Sequence, residues 1–239
     1  RTNCCASNYG TGGGGGGGRI VVRSKDDSSF TNKTGVQAEG GAVGTGGTGG
    51  ANGVAGGRGT VAFITLAASA DTTVDNTRAD DLNLELYRSW RWEPAGEPYS
   101  YEEVTIHPDT IVVAGSDADV SATNLTIDAA TWDTTIDSTN GFAASGQVTI
   151  NTTDMTVSSS TIQMGNSADW TVNVADSYTH TGGTLNAQMI DINGAADVTF
   201  TGSTTVTAQR MFIDGSSLAI TAGSVLSTDG RGYSGLAGP

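Results

Sequence analysis

Four aspartates have the oxygen chemistry that a hard cation needs: Asp117, Asp119, Asp169 and Asp197. Carboxylates that stack on neighbouring strands repel one another, and Ca²⁺, which prefers oxygen ligands, would relieve that repulsion. We predict that Asp169 and Asp197 occupy equivalent positions of successive strands, and paired acids ~5–10 Å apart are also what a glycosidase uses. The alternative is that all four acids are solvated turn residues that cap loop N–H groups. Ca²⁺ is therefore the one cofactor for which the sequence offers candidate ligands.

A run of aromatic residues forms a second candidate site. Trp90 and Trp92 alternate along one predicted strand, which places both indoles on one face, and Tyr99 and Tyr101 follow with the same spacing. Exposed rings of this kind stack on sugars or anchor a neighbouring subunit. The competing interpretation is an aromatic plug that fills a wide section of the core. The sequence alone allows both uses.

Covalent modification is the third kind of chemistry that the sequence offers. Cys4 and Cys5 are adjacent, and a bridge between them would strain the peptide, so each is predicted to cross-link to another segment or chain. Two inert thiols are the alternative. Asn32, Asn124 and Asn151 begin sequons and are candidates for N-glycosylation in an exported protein. In a Thr-rich chain such triplets also arise by chance.

Motifs of common catalytic sites do not occur in the sequence. The glycines at 12–18 are followed by Arg19 and by no helical pattern, so they do not form a phosphate-binding loop. Neither a GxSxG nucleophile elbow nor an HExxH zinc motif is found. His107 and His180 lie far apart along the chain. We therefore predict that the protein is not an enzyme.

The charge distribution excludes several classes of partner. The chain carries 11 Lys and Arg against 25 Asp and Glu, a net charge of −14. Between Trp92 and Gln209 there are 15 Asp and Glu but no Lys or Arg. Nucleic acids and anionic membrane surfaces attract the opposite sign of charge. No apolar run approaches the ~20 residues of a membrane span. We predict no nucleic-acid partner and no membrane span.

The elements that must position these residues are short β-strands. From Val104 to Gly230 the sequence repeats triplets in which two apolar residues flank a polar one, often Thr, with turn residues between the triplets. The triplets 148–150 and 198–200 are examples. No apolar stripe with helical spacing competes with this pattern. The chain is therefore predicted to be all-β.

An internal repeat of about 21 residues predicts how the strands are arranged. The triplet 190–192 aligns with 211–213, and 198–200 aligns with 218–220. Two weaker alignments place 162–172 over 190–200, and 125–127 over 148–150. Such a period matches one turn of a parallel β-helix, which an antiparallel sandwich does not require. We predict a right-handed parallel β-helix, or β-solenoid, of around ten turns and roughly 50 Å in length at the spacing of parallel strands.

Three zones follow from the composition. Residues 1–66 form a Gly-rich segment with short strands, 67–103 an irregular aromatic-rich connector, and 104–239 the β-helix turns, ending in a Gly-rich phrase. The glycine tracts of the first zone are either flexible linkers or ordered loops beside the strands. We favour ordered loops, because the tracts alternate with apolar strands.

The Gly-rich phrases carry a family resemblance. They are Gly12–Ile20, Glu39–Gly41, Gly57–Val61 and Ser227–Tyr233, together with the passage Trp92–Ile106. These phrases resemble those of giant bacterial or archaeal cell-surface adhesins and extracellular filaments with parallel β-helix repeats. The resemblance implies an extracellular or cell-surface location and a role as an adhesin, sheath or filament component. No catalytic motif of the pectin-lyase-like enzymes carries over.

These observations predict a structural function. Pro239 joined to Arg1 would continue the Gly-rich phrase, so we expect one period of a head-to-tail array. An exposed β-helix end must be capped or must stack on another end. We therefore expect a segment of an extracellular fibre that self-associates end to end and contacts surface glycans. The alternative is a polysaccharide-binding or polysaccharide-degrading β-helix of adhesin or tailspike type, against which the scarcity of Lys and Arg argues.

Overall fold

Strands make up nearly all of the regular structure. The computed structural model describes residues 14–24, 27–42, 55–66, 82–92, 99–114, 118–133, 147–164 and 168–228. A 3₁₀ turn at Lys33–Gly35 is the single helical element among them. None of these residues forms a helix long and apolar enough to cross a membrane. The strands are β1 Arg19–Ser24, β2 Thr60–Leu66, β3 Leu82–Tyr87, β4 Ser89–Trp92, β5 Tyr99–Ile106, β6 Ile111–Ala114, β7 Ala118–Asp128, β8 Thr131–Asp133, β9 Gln147–Gln163, β10 Asp169–Thr201, β11 Thr205–Ile220 and β12 Val225–Ser227.

The strands stack in parallel as a β-solenoid of about five turns, which confirms the predicted architecture. From β3 onward every strand pairs in parallel with its neighbour, in the order β3-β5-β7-β9-β10-β11-β12, with β4, β6 and β8 completing the turns. The expectation of around ten turns was too high. It divided the whole chain by one period, although the parallel stack begins only at β3 and one turn takes 30 residues.

The strand register tests the repeat alignments directly. The triplet 190–192 lies beside 211–213, and 198–200 beside 218–220, as predicted. The two weaker alignments are wrong, because Ile162 lies beside Leu185 and Leu125 lies beside Met155. The offset between paired residues is 30 from β7 to β9 but about 20 to 23 in the turns that follow, so a single period misplaces the earlier strands. The additional residues of the longer turn enter between Asp133 and Gln147.

One corner of the solenoid places a residue in the left-handed backbone region in each turn. Five of these are not glycine, and a left-handed backbone strains such residues, so the stack must hold them in place. A buried hydroxyl follows three of them and contacts a carbonyl oxygen of the preceding turn: Thr110 with Leu86, Ser160 with Ile127, and Thr204 with His180, at 3.0–3.2 Å. The corner is therefore built from hydrogen bonds between turns. The five residues are Arg88, Asp109, Ala129, Ser159 and Ser203.

The core consists of columns of inward side chains that cover one another from turn to turn. One column contains Ile106, Ile127, Val157, His180 and Phe200, all with no exposed surface. Alternate residues along each strand face inward, as the pleat requires. Most of the driving force for stacking therefore comes from apolar side chains covered by the next turn.

The N-terminal layer, residues 14–66, is built differently. Its Gly-rich segments 14–18, 38–41 and 56–59 lie side by side and exchange backbone hydrogen bonds, including Gly17 N to Gly57 O at 2.8 Å. A Cβ on Gly17 would lie 2.1 Å from Ala38 O, and one on Gly59 only 1.9 Å from Gly18 O. Glycine is needed at positions 17 and 59 because the backbones approach too closely there for a side chain.

The layer also contains the one pair of described strands that departs from parallel stacking. β1 pairs with β2 in parallel, but β2 pairs with β3 in antiparallel fashion, with Val61 opposite Tyr87. The chain therefore reverses its sense around the rod between β2 and β3. Residues 82–92, assigned above to an irregular connector, form β3 and β4 and belong to the parallel stack.

Candidate functional site

The last described turn leaves its inward side chains uncovered. Leu218 and Ile220 occupy the column positions of Val198 and Phe200, which have no exposed surface. Leu218 and Ile220 are themselves 52% and 49% exposed, because no described residue lies over them. Partly buried Met211, Ile213 and Leu226 belong to the same turn. We call these five residues the terminal patch.

The backbone at this end is also unpaired along much of its length. β11 pairs with β10 through residues 205–220, whereas β12 covers only Thr205 to Thr207 on the other side. From 208 to 220 the outer edge therefore has no strand partner among the described residues. An edge that combines free backbone groups with exposed apolar side chains favours addition of a further strand.

The predicted aromatic site lies mostly in the interior. Trp90, Trp92 and Tyr101 are 8%, 1% and 6% exposed, and Tyr99 lies in β5 beside Val120. Trp92 also packs at 6.5 Å from Trp132, whose ring stands 5.2 Å from Trp170. Their burial favours the aromatic plug over a sugar-stacking platform, because the ring faces are occupied by other rings.

The three sequon asparagines lie in different surroundings. Asn32 is exposed and caps the 3₁₀ turn, accepting a hydrogen bond from Gly35 N. Asn124 lies on β7 beside Asp154. Asn151 has both ends of its amide engaged, since its Nδ2 donates to Asp119 at 2.8 Å and its Oδ1 accepts from Asn173 at 2.8 Å. Glycosylation of Asn32 therefore demands the least rearrangement.

Three of the candidate calcium ligands, Asp119, Asp169 and Asp197, lie in the described residues. Asp169 pairs with Gln147 in the preceding turn, and Gln188 N donates to Ala168 O at 2.9 Å from the following turn, so Asp169 lies beside residues near 188 and the prediction that it stacks with Asp197 is wrong. The error comes from the same varying turn length that misplaced the repeat. No group of three or more His, Cys, Asp or Glu side chains among the described residues is arranged to hold a metal ion.

Neighbouring turns instead separate the acids by neutral polar residues. Along one outward column Glu103 is followed by Asn124, Asp154 and Ser177, and Ser177 donates a hydrogen bond to Asp154. On β11, Ser217 likewise donates to Asp197. Like charges are therefore two turns apart, which lowers their repulsion without a bound cation.

Several predicted features fall outside the described residues. Cys4, Cys5 and Asp117 belong to this group, as do the glycines at 12 and 13 and the final residues 229–239. The proposed cross-links and the continuation of the chain from Pro239 to Arg1 remain sequence-based predictions.

A cluster of titratable side chains, which the sequence analysis did not identify, joins the N-terminal layer to the solenoid. Glu85 on β3 binds Lys33 from the 3₁₀ turn, Tyr87 Oη at 2.8 Å and His107 Nε2 at 2.9 Å. The ring of His107 stacks on Tyr87 with centroids 4.1 Å apart. Lys33 also binds Asp27 at 2.5 Å. The signal in the sequence was weak, because these residues are separated by up to 80 positions.

The electrostatics of this cluster hold Glu85 in its charged form. The hydrogen bond from His107, with those from Lys33 and Tyr87, lowers the pKa of Glu85 to about 2 although partial burial opposes the shift. Burial, together with the hydrogen bond to Glu85, raises the pKa of Tyr87. Partial burial disfavours the charged form of Lys33, but the hydrogen bonds to Asp27 and Glu85 raise its pKa overall. The cluster is therefore an ion-pair contact between two parts of the chain.

A cleft of about 300 Å³ adjoins the cluster, lined by Thr34, Tyr87, Arg88, His107, Pro108 and Asp109. Arg88 is already engaged there, since it donates to Thr34 O at 3.1 Å and lies 3.7 Å from Glu39. The cleft is small and its cation is paired, so the charges serve mainly to attach the N-terminal layer.

The second histidine lies inside the core. His180 has no exposed surface, and its Nδ1 lies 3.2 Å from the hydroxyl of Tyr178. Burial lowers the pKa of His180 to about 4 and raises that of Tyr178. No partner for His180 Nε2 is found among the described residues. The neutral imidazole of His180 therefore packs as part of the core, and protonating it at low pH would destabilise the folded chain.

Comparison with models of protein families, with curated proteins and with solved structures finds no match to this chain.

Proposed function

We propose that this chain is a structural segment of an extracellular fibre or surface filament that assembles end to end. The observation that carries the proposal is the terminal patch, in which Leu218 and Ile220 are about half exposed although their counterparts one turn earlier are buried. Fully burying such a side chain is worth ~1.5–3 kcal/mol, so covering the exposed half of each is worth about half of that. In the preceding turn, Val198 and Phe200 are buried because β11 lies over them, and a further layer of strands would bury Leu218 and Ile220 in the same way.

The outer surface of the solenoid supports a structural role. Outward columns carry Thr, Asn and Ser, with Thr105, Thr126, Thr156 and Thr179 in direct register over four strands. Thr suits the exposed face of a sheet because its branched side chain packs on its neighbours along the column. Together with a net charge of −14, such a face stays solvated while the ends associate.

A second candidate function, glycan binding, has one observation in its favour. An open groove of about 390 Å³ crosses β5, β7 and β9 and is lined almost entirely by polar groups. Sugar hydroxyls would find matching donors and acceptors there. It lacks an exposed aromatic face, because Tyr101 is buried, so we rank glycan binding below assembly. The residues that line it are Ser100, Tyr101, Glu102, Ser121, Ala122, Thr123, Asn151, Thr152 and Thr153.

The proposal is tested by the oligomeric state of variants at the terminal patch. We expect the unmodified chain to form concentration-dependent linear assemblies in sedimentation velocity and negative-stain images. Leu218→Asn with Ile220→Asn should abolish them, because polar side chains remove the apolar gain of stacking. The matched control is Phe212→Asn, since Phe212 is 54% exposed but points outward beside Asp191, and this variant should still assemble.

Two outcomes would contradict the proposal. The unmodified chain could remain monomeric at high concentration, or the control could lose assembly as completely as the patch variant. A glycan array with the same proteins tests the second candidate, because binding that survives the patch substitutions would assign the groove a function of its own.

A further inference from the structure

We infer that the fibre is polar and that the terminal patch of one copy docks on the β1 edge of the next. This inference rests on the proposed function and adds to it the partner surface, the direction and the strand register. β1 is the opposite edge of the sheet from β11 and β12 and pairs only with β2 among the described strands. Its apolar residues Ile20, Val21 and Val22 are only partly buried. Both ends of the described stack thus carry half-covered apolar strands.

The two edges belong to one continuous column of strands. From one end of the described stack to the other, the column runs from Val21 through Ala62, Leu86, Ile106, Ile127, Val157, His180 and Phe200 to Ile220. Val21 and Ile220 are therefore the first and last members of the same inward column. A copy added along the rod axis places Val21 over the exposed Ile220, which extends the column without a gap.

Charge favours this head-to-tail arrangement over contact between like ends. Residues 1–92 contain nine Lys or Arg and eight Asp or Glu, whereas residues 93–239 contain two and seventeen. Around the terminal patch, residues 187–228 contain three acids and one basic residue, Arg210, so contact between two such patches would bring together two ends of the same net negative charge. Contact with β1 instead brings the acidic end to exposed Arg19 and Arg23. Because a head-to-tail contact uses two different surfaces, it leaves one of each free and extends into an open fibre.

The reversal between β2 and β3 fixes the strand direction at the junction. β1 and β2 run opposite to every strand from β3 onward in this column. In a stack of copies that all point the same way, β1 of one copy must therefore run antiparallel to the segment 217–220 of the other. With Val21 over Ile220, Val22 lies over Ala219 and Arg23 over Leu218. The antiparallel pairing of β2 with β3 is the internal precedent for this contact.

Disulfide trapping tests the direction. In a background with Cys4→Ser and Cys5→Ser, one preparation carries Val21→Cys and a second carries Ile220→Cys. Paired antiparallel residues have Cα atoms ~4.5–5.5 Å apart, within reach of a disulfide. We expect oxidation of the mixture to give mixed dimers, and the Ile220→Cys preparation alone to stay unlinked. Phe212→Cys replaces Ile220→Cys as the matched control and should not link to Val21→Cys.

A second pair tests the register. Val22→Cys should link to Ala219→Cys, but not to Thr221→Cys, which is the partner that a parallel junction would select. Arg23→Glu should weaken association several-fold, because it places a carboxylate over Leu218 and removes a cation facing the acidic end, and it should reduce the salt dependence of assembly.

The outcomes separate this inference from the proposed function. Fibres that form normally while Ile220→Cys links to itself would overturn the polar arrangement and leave the structural function standing. Links from Val22→Cys to Thr221→Cys would overturn the antiparallel junction. A chain that never associates would overturn both.

Discussion

The N-terminal layer and the solenoid differ in what holds their neighbouring backbone segments together. In the solenoid, neighbouring turns are held by columns of buried side chains such as Ile127, Val157 and Phe200. In the layer, Gly17 and Gly59 leave no room for a side chain, and the backbones contact one another directly. The solenoid therefore depends on its buried side chains, whereas the layer combines a small apolar cluster around Phe63 with direct glycine backbone contacts and ion pairs such as Lys33 with Glu85.

The largest expected effect is the loss of a large side chain from the solenoid. Trp132 has no exposed surface and packs between Trp92 and Trp170. Trp132→Ala should lower the free energy of unfolding by about 3–5 kcal/mol, through lost burial and the cavity that remains. Urea titration followed by circular dichroism measures the change.

The control for this prediction is an aromatic residue in the N-terminal layer. Phe30 contacts Phe63 at 5.2 Å but is 43% exposed. Phe30→Ala should therefore lower the free energy of unfolding much less than Trp132→Ala. Equal losses from the two variants would show that the layer is as dependent on side-chain packing as the solenoid, and the contrast would fail.

Acid should affect the solenoid before the layer. Because burial lowers the pKa of His180 to about 4 from an ordinary 6.5, the unfolded chain binds a proton that the folded chain does not between these values. Stability should fall as the pH drops from 6.5 to 4, by roughly 3 kcal/mol at 1.36 kcal/mol per pKa unit. His180→Phe should flatten this part of a plot of unfolding free energy against pH.

The layer should respond in a lower window. With the pKa of Glu85 at about 2 against an ordinary 4.5, its stabilising contribution is complete above pH 4.5 and is lost as the pH falls toward 2. Hydrogen exchange of the amides in residues 27–42 distinguishes the two windows. If these amides in the unmodified chain lost their protection already at pH 5, where Glu85 is still ionised, Glu85 would not be the acid-sensitive contact.

The smallest expected effect is a single methyl group in the layer. Gly59→Ala would place its Cβ 1.9 Å from Gly18 O, so the backbones must separate, at a cost of about 1–3 kcal/mol. Gly57→Ala is the matched control, since a Cβ there meets nothing within 4 Å. Hydrogen exchange of residues 14–18 measures the effect. Similar exchange in the two variants would mean that close backbone approach is not what requires glycine at position 59.

The parts of the fold that the sequence could predict are those that depend on local pattern. The triplets with two inward apolar residues identified the strands of the solenoid, and the last two turns have nearly equal length, so the register of 190–192 with 211–213 followed. The longer turn between β7 and β9 defeated the same reasoning, because nothing local reports how many residues lie outside the stack. The antiparallel contact of β2 with β3 depends on a chain reversal that alternation of apolar residues does not encode.

The candidate sites were harder to predict because they depend on which face a residue takes and on distant partners. Trp90 and Trp92 were correctly placed on one face, but whether that face is inside or outside is decided by the rings of Tyr101 and Trp132. The cluster around Glu85 could not be predicted because its partner Lys33 is 52 residues away in the sequence, and no local pattern indicates that the two residues are in contact. The terminal patch is a property of where the described stack stops, and triplet 218–220 reads in sequence like any buried one.

The unequal length of the turns has a practical consequence. The turn from β7 to β9 is about eight residues longer than the others, yet regular strand pairing continues from Val148 onward. The stack therefore tolerates additional residues between Asp133 and Gln147. A short epitope or enzyme tag introduced between Asp133 and Gln147 would be presented once per protomer. In the proposed polar fibre such tags would recur at a fixed interval, one for each protomer along the axis.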